Sequence, residues 1–214
     1  LTVLIKKMYP DIPYYLIGHS MGSFVTRKYI CDYGHELDGV IVMGTGHQPT
    51  PVVLGGKLLA NITKLIKGDR YRSELISKIM FGAYNKRIKN IRTANDWLTR
   101  DEAVVDEYNA GKLTTFLFTV NGYRGLMNMI LYVRKTRNIA KIPENLPMLM
   151  VSGLDDPVGE YGKGVYRAYN SYHGHLDDID LRLFEDCRHE LCNELNKEDI
   201  YEEIYGWITD HMNS

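Results

Sequence analysis

The chain has 214 residues, of which 44% are hydrophobic and 25% are charged, and its formal net charge at pH 7 is −1. This length can form one large core with an insertion, and the balanced charge indicates neither nucleic-acid binding nor a polybasic membrane anchor. The 3 cysteines form no even framework and no Cys-x-x-Cys pair, which favours a reducing, cytoplasmic location. No apolar run is long enough to span a bilayer, so we expect no integral membrane segment.

The first elements along the chain form a strand–helix–strand unit. Residues 1–8 have helical spacing, residues 14–17 form a short apolar run after a proline, and residues 21–33 carry apolar side chains on one helical face. Residues 38–44 are apolar on both faces, which is typical of a buried parallel strand. This order predicts an α/β fold.

The next part of the chain is mainly helical in its pattern. Helices are predicted at 55–67, 73–81, 100–110 and 125–136. About 90 such residues between two buried strands exceed a simple crossover. We therefore interpret residues 51–140 as a helical cap inserted between two core segments, 1–50 and 141–214. The alternative is a set of solvated helices that belong to the core fold.

The sheet pattern then resumes and continues to the end of the chain. A buried strand is predicted at 146–153 and an alternating strand at 179–184, with a helix at 159–172 between them. Residues 194–212 have the spacing of a closing helix.

A reactive motif follows the first predicted strand. Residues 18–22 read Gly-His-Ser-Met-Gly, a Gly-x-Ser-x-Gly sequence between a strand and a helix. Such a turn exposes the serine hydroxyl, and the N–H of the next residue can face a developing oxyanion. We therefore predict that Ser20 is a nucleophile and that the Met21 N–H is an oxyanion-hole donor. The alternative is a plain tight turn capped by Ser20. Glycine is expected at positions 18 and 22 because the turn leaves no room for side chains.

An acid and a base follow later strands. Asp155 and Asp156 come after the third predicted strand, and His189 comes after the fourth. Sites in α/β sheets assemble at the carboxyl ends of the strands, and the order Ser, Asp, His is the order of hydrolases. An imidazole can take the serine proton while a carboxylate fixes its tautomer. The pattern predicts a triad of Ser20, His189 and one of the two aspartates.

Four further side chains are candidates for contact with a substrate: His19, His47, Trp97 and Phe118. His19 is next to the serine, and packing is its alternative role because adjacent residues point opposite ways. His47 follows the second strand and could instead serve as a hinge. Several cap residues could line an apolar acyl pocket or pack together: Phe81, Trp97, Tyr108, Phe116, Phe118 and Met127. The histidine-containing loop 173–178 lacks zinc-site spacing, so we expect no metal and no cofactor.

Together these motifs resemble the α/β-hydrolase superfamily, particularly its branch of lysophospholipases, monoacylglycerol lipases and serine aminopeptidase-like proteins. The resemblance rests on residues 18–23, 152–159 and 188–194, and residues 95–101 are similar to a cap segment of some bacterial members. It implies a mostly parallel sheet flanked by helices. In that family the acid lies three residues beyond the glycine that ends its strand, which implies Asp156 rather than Asp155.

One departure from the family concerns the beginning of the chain. Family members carry several strands before the nucleophile strand, and a His-Gly loop among them gives the second oxyanion donor. Only about a dozen residues precede Pro13 here, and they contain no such loop. We therefore expect that amino-terminal strands are missing from this sequence and that the native protein is longer.

The function predicted from these residues is hydrolysis of a small-molecule carboxylic ester through an acyl-enzyme. The first alternative is an aminopeptidase-like amide hydrolase, in which a cap carboxylate (Glu102, Asp106 or Glu107) would hold the substrate ammonium. The second is a hydrolase fold kept as a non-catalytic binding module. Acyl length, head group and oligomeric state stay open at this point.

Overall fold

A computed structural model of the protein describes residues 1–212. Within this range the strands are β1 (Tyr15–His19), β2 (Gly39–Met43), β3 (Met148–Gly153) and β4 (Ile179–Phe184). The helices are α1 (Thr2–Met8), α2 (Met21–Tyr33), α3 (Thr50–Lys67), α4 (Glu74–Phe81), α5 (Glu102–Ala110), α6 (Val120–Val133), α7 (Thr136–Ile139), α8 (Lys163–His173) and α9 (Lys197–Met212).

The four strands form one parallel sheet in the order β1-β2-β3-β4. Every residue of β2 and β3 is buried, which matches their continuous apolar sequences, since strands covered by helices on both faces have no polar side. At the β1 edge, Ile17 is half-exposed. The predicted α/β class and parallel sheet are confirmed.

Alternate side chains of the central strands build two separate cores. Val40 and Val42 of β2 lie on one face and pack with residues of α2 and α8, including Ile30, Ala168 and Tyr172. Ile41 and Met43 lie on the other face and pack with α9 residues Ile200, Ile204 and Trp207. The period of two along a strand therefore places helices on both sides of the sheet.

Helices α3 to α7 lie between β2 and β3 in the chain. We call residues 50–139, which contain them, the insertion. Phe24 of α2 is buried against Val53 of α3 and Leu126, Met127 and Ile130 of α6, so an apolar contact joins the insertion to the core helix that follows β1.

Two insertion helices begin about five residues earlier than the spacing predicts. Helix α3 begins at Thr50 rather than 55, because Pro49 supplies a carbonyl to the N–H groups of Val52 and Val53 and a proline is tolerated in the first turn. Helix α6 begins at Val120 rather than 125, where the Thr119 hydroxyl accepts from the Gly122 N–H at 3.1 Å.

Two core helices begin later than predicted. Helix α8 begins at Lys163 rather than 159, since Glu160 and Tyr161 have φ of 51° and 57°, values outside a right-handed helix. Helix α9 begins at Lys197 rather than 194, and the backbone at Glu194 is extended. Among residues 1–212, no helix combines the length and apolarity needed to cross a membrane.

Candidate active site

Ser20 stands in the turn between β1 and α2 with φ 55° and ψ −122°. A positive φ is uncommon for a residue that carries a side chain, and here hydrogen bonds hold the backbone in place. The Ser20 N–H donates to the Met43 carbonyl of β2 at 3.0 Å, and the Ser20 carbonyl accepts from the Ser23 N–H at 2.9 Å. The turn is thus fixed both to the sheet and to the helix.

The two glycines of the motif have different surroundings. A Cβ at Gly18 would lie 2.2 Å from Thr26 Oγ1 and 2.6 Å from the Gly22 carbonyl oxygen, so β1 and α2 approach too closely for any side chain there. A Cβ at Gly22 would meet nothing within 4 Å. The expectation of steric exclusion therefore holds for Gly18 and is wrong for Gly22.

The acid and the base come together because the loop after β4 crosses the end of β3. A Cβ at Gly153, the last residue of β3, would lie 2.0 Å from the Cys187 carbonyl oxygen. The same carbonyl accepts from the Asp155 N–H at 2.9 Å. This close crossing brings the loop that carries His189 next to Asp156.

A chain of hydrogen bonds links the three predicted residues. His189 Nδ1 lies 2.9 Å from Asp156 Oδ2, and His189 Nε2 lies 2.8 Å from Ser20 Oγ. Asp156 is fully buried and His189 is 2% exposed. This arrangement suits an Nδ1–H tautomer, which donates to the carboxylate and leaves Nε2 free to accept from the serine hydroxyl.

The two neighbouring aspartates differ sharply in their surroundings. Asp155 is exposed, whereas the second oxygen of Asp156 accepts from the Val158 N–H at 2.8 Å. Both oxygens of the Asp156 carboxylate are therefore held, one by backbone and one by the imidazole. The geometry favours Asp156 as the partner of His189, as the resemblance implied.

Aromatic rings surround the imidazole of His189. The rings of His19 and Trp97 lie 4.7 and 5.0 Å from it, centroid to centroid, and Tyr84 packs edge-on against Trp97 at 4.8 Å. Burial, and then the Asp156 charge, raise the pKa of Tyr84, and burial followed by the proximity of His189 lowers the pKa of His19. Both side chains are therefore uncharged neighbours of the hydrogen-bonded chain at neutral pH.

Above Ser20 lies a cavity of about 910 Å³ between the insertion and the core. The cavity walls are largely apolar, and Glu74 and Lys78 are the charged residues among those that line it, both exposed. All six residues predicted for an acyl pocket line it: Phe81, Trp97, Tyr108, Phe116, Phe118 and Met127. A volume of this size is typical of a small-molecule site.

The four candidate substrate contacts divide into two pairs. Trp97 and Phe118 line the cavity. His19 and His47 lie outside the set of lining residues. His19 Nε2 lies 3.0 Å from the His189 carbonyl oxygen, and burial lowers the pKa of His47 to about 4. The surroundings of His19 favour its packing alternative, because its ring faces the His189 carbonyl and the His189 ring. The hinge alternative for His47 stays a prediction.

Gln48 and Tyr84 are among the cavity residues that the sequence reasoning missed. Gln48 lines the cavity and donates to the Val158 carbonyl at 3.1 Å. The one feature of the sequence that pointed to Gln48 was its position beside His47. Tyr84 lines the cavity beside Trp97, yet it lies in a stretch rich in Lys and Asn with no local pattern. Among residues 1–212, no group of three or more His, Cys, Asp and Glu is arranged to hold a metal ion.

The fold and the site together define an α/β-hydrolase: a parallel sheet flanked by helices, with a serine at the strand–helix turn and an acid and a base at later strand ends. The chain belongs to the serine aminopeptidase S33 family, since the model of that family matches residues 1–196. The resemblance inferred from the sequence is thereby confirmed.

Monoglyceride lipases are among the similar proteins. The chain is 24% identical over 213 residues to the monoglyceride lipase homolog of Monkeypox virus, covering 97% of this chain and 67% of that protein. It is 22% identical over 212 residues to the monoglyceride lipase of Mus musculus, covering 96% of this chain and 61% of that protein. The chain thus spans about two thirds of the length of these relatives.

Solved structures of esterases and lipases share this fold. A thermostable carboxyl esterase from Bacillus coagulans, crystallised with glycerol, superposes with a TM-score of 0.87 at 26% identity, covering 100% of this chain and 68% of that one. A soluble variant of monoglyceride lipase from Saccharomyces cerevisiae has a TM-score of 0.73 at 19% identity, covering 98% of this chain and 67% of that one. The predicted α/β-hydrolase fold is confirmed by these similarities.

Proposed function

We propose that this protein is a serine hydrolase that cleaves carboxylic esters with an apolar acyl chain through an acyl-enzyme. The observation that carries the proposal is the hydrogen-bonded chain from Asp156 through His189 to Ser20 at the floor of a largely apolar cavity of about 910 Å³. The esterase and lipase names of the similar proteins agree with it.

In the first half of the reaction, Ser20 Oγ attacks the ester carbonyl carbon while its proton passes to His189 Nε2. Asp156 holds the imidazole by its Nδ1–H and stabilises the imidazolium that forms. The developing oxyanion accepts from the Met21 N–H, which lies in the first turn of α2, where backbone N–H groups have no intrahelical partner. Collapse of the tetrahedral intermediate breaks the ester C–O bond, and His189 returns the proton to the leaving alkoxide.

In the second half, a water molecule attacks the acyl-enzyme and gives its proton to His189 Nε2. The second intermediate then releases the carboxylic acid, and the proton returns to Ser20 Oγ. The acyl chain lies along the aromatic and aliphatic walls of the cavity, so the insertion acts as the cap of the site. The free cysteines Cys31, Cys187 and Cys192 suit a cytoplasmic location.

The carboxylates suggested for an aminopeptidase lie away from the cavity. Glu102 and Asp106 pair with Arg92 at 3.4 and 2.9 Å, and neither lines the cavity wall. The exposed Glu74 is the carboxylate among the lining residues, and it sits beside Lys78. Within residues 1–212, the lining residues therefore include no buried carboxylate that could bind a substrate ammonium. This favours esters over aminoacyl amides as substrates.

A panel of substrates with one matched variant tests the proposal. The wild-type protein is given 4-nitrophenyl esters of increasing acyl length, monoacylglycerols and aminoacyl 4-nitroanilides, and is labelled with a fluorophosphonate probe. We expect turnover of the esters and probe labelling that Ser20→Ala abolishes. Ser171→Ala, which alters a hydroxyl bonded only to the Ala168 carbonyl on α8, should leave both unchanged. Faster turnover of the anilides, or labelling that survives in Ser20→Ala, would contradict the proposal.

A further inference from the structure

A short part of the insertion is bonded directly to the loop that carries His189. We call residues 96–100 the bridging segment and residues 186–196 the His189 loop. The Arg188 guanidinium donates to the Asp96 and Thr99 carbonyls at 2.7 and 2.8 Å. The Glu190 N–H donates to the Leu98 carbonyl at 2.7 Å. These bonds join residues that are 89 and 92 positions apart in sequence.

Glu194 is the charged centre of this connection. Its side chain is fully buried, and Oε2 accepts from Arg100 Nε of the bridging segment at 2.8 Å. Its other oxygen, Oε1, accepts from the Arg188 N–H at 2.7 Å. Burial alone would lower the pKa of Arg100, but the Glu194 carboxylate outweighs it and raises that pKa, so Arg100 stays charged.

The connection holds the backbone on both sides of His189. The N–H of the residue before it, Arg188, is fixed by Glu194, and the N–H of the residue after it, Glu190, is fixed by Leu98. A buried ion pair adds little net stability compared with apolar residues of the same volume, but its directional hydrogen bonds define a geometry. Here the geometry defined is that of the His189 main chain.

The bridging segment also places the Trp97 ring against the His189 imidazole. Trp97 packs 5.0 Å from the His189 ring, while Leu98 and Thr99 are buried beside it at 3% and 1% exposure. The segment therefore contacts the His189 ring through Trp97, and its backbone carbonyls bind the residues on either side of His189. Placement of a general base to within a fraction of an ångström decides the rate of proton transfer.

We propose that the bridging segment, held by Glu194 and Arg188, positions His189, so that Glu194 is a positioning residue for the reaction and the insertion is part of the catalytic support. This inference rests on the proposed function only for its kinetic consequence. The position of His189 can be measured without turnover, from the NMR signal of the Nδ1 proton that it shares with Asp156.

The experiment compares Glu194→Gln with Glu203→Gln in the full chain. Glu203 also accepts from an arginine, Arg182, at 2.6 Å, but it lies on α9. We expect Glu194→Gln to lower kcat on 4-nitrophenyl butyrate at least tenfold with KM unchanged within twofold. We also expect the downfield His189 Nδ1–H signal to broaden or disappear. Glu203→Gln should change neither. If Glu194→Gln does not fold, Arg188→Met removes the bonds to Asp96 and Thr99 and is measured in the same way.

The two readouts separate failure of this inference from failure of the proposed function. A folded Glu194→Gln variant with lower Tm but unchanged kcat and an unchanged Nδ1–H signal would overturn the positioning role, and so would the same result for Arg188→Met. If the wild-type protein shows no turnover but the signal is lost in Glu194→Gln, the positioning role stands and the ester substrate is wrong.

Discussion

Replacing Asp156 by asparagine should nearly abolish turnover while leaving the fold intact. One oxygen of Asp156 accepts from the Val158 N–H at 2.8 Å, and the other faces His189 Nδ1 at 2.9 Å. In Asp156→Asn, the amide oxygen must face the Val158 N–H, so the amide NH₂ faces Nδ1. The imidazole then becomes an acceptor at Nδ1 and carries its proton on Nε2, toward Ser20, where it can no longer accept a proton.

The size of the effect follows from this change of tautomer. In serine proteases the same replacement lowers kcat about 10⁴-fold, which corresponds to about 5.4 kcal/mol of transition-state stabilisation. We expect a loss of this order here, because Asp156 is fully buried and water cannot restore the tautomer. KM should change little, since the carboxylate does not line the cavity.

The assay is release of 4-nitrophenolate from a short-chain ester, with Asp155→Asn as the matched control. Asp155 is exposed, so its substitution should leave kcat within about twofold. Circular dichroism and Tm should be close to wild type for both variants. A kcat for Asp156→Asn above a tenth of the wild-type value, or a collapse in Asp155→Asn instead, would refute the reasoning.

Three further outcomes follow from the structure. Gly18→Ala should destabilise the fold by about 1–3 kcal/mol in urea titrations, because its Cβ meets Thr26 and backbone, whereas Gly22→Ala should change stability by less than about 1 kcal/mol; equal losses would contradict this. The unfolded chain protonates His47 near pH 6.5 and the folded chain only near 4, so the contribution of neutral His47 to folding stability is complete above pH 6.5 and is lost as pH falls toward 4. Between these pH values the Tm of His47→Asn should therefore fall less than the Tm of the wild type. Parallel curves of Tm against pH would refute this. Met127→Trp, which fills the cavity beside Gly56, should shorten the longest acyl chain hydrolysed; an unchanged chain-length profile would count against an acyl site there.

The strands, and the order of strands and helices in the core, were predictable because the sequence patterns that indicate them are local. The β4 range of 179–184 was predicted as the structure has it, and the strand–helix turn around Ser20 is defined by five consecutive residues. Helix starts were less predictable where a side chain had a distant partner. Glu194 suits a first helical turn by sequence, but its carboxylate binds Arg100, and α9 begins three residues later.

The parts of the site that depend on long-range contacts could not be predicted from the sequence. Tyr84 and Gln48 line the cavity because of how the insertion folds over the core, and no spacing rule connects them to Ser20. The choice between Asp155 and Asp156 likewise depended on a resemblance, because both residues follow the same strand and only burial and direction distinguish them.

The backbone conformation of Ser20 has a consequence for selection experiments. A serine with φ of 55° and ψ of −122° is strained by about 1–3 kcal/mol, and glycine adopts the same conformation freely. A library of variants screened only for survival after heating should therefore become enriched in glycine at position 20, and so lose the nucleophile. Heat tolerance and reactivity compete at this one residue, and directed evolution of the protein needs a selection for turnover in every round.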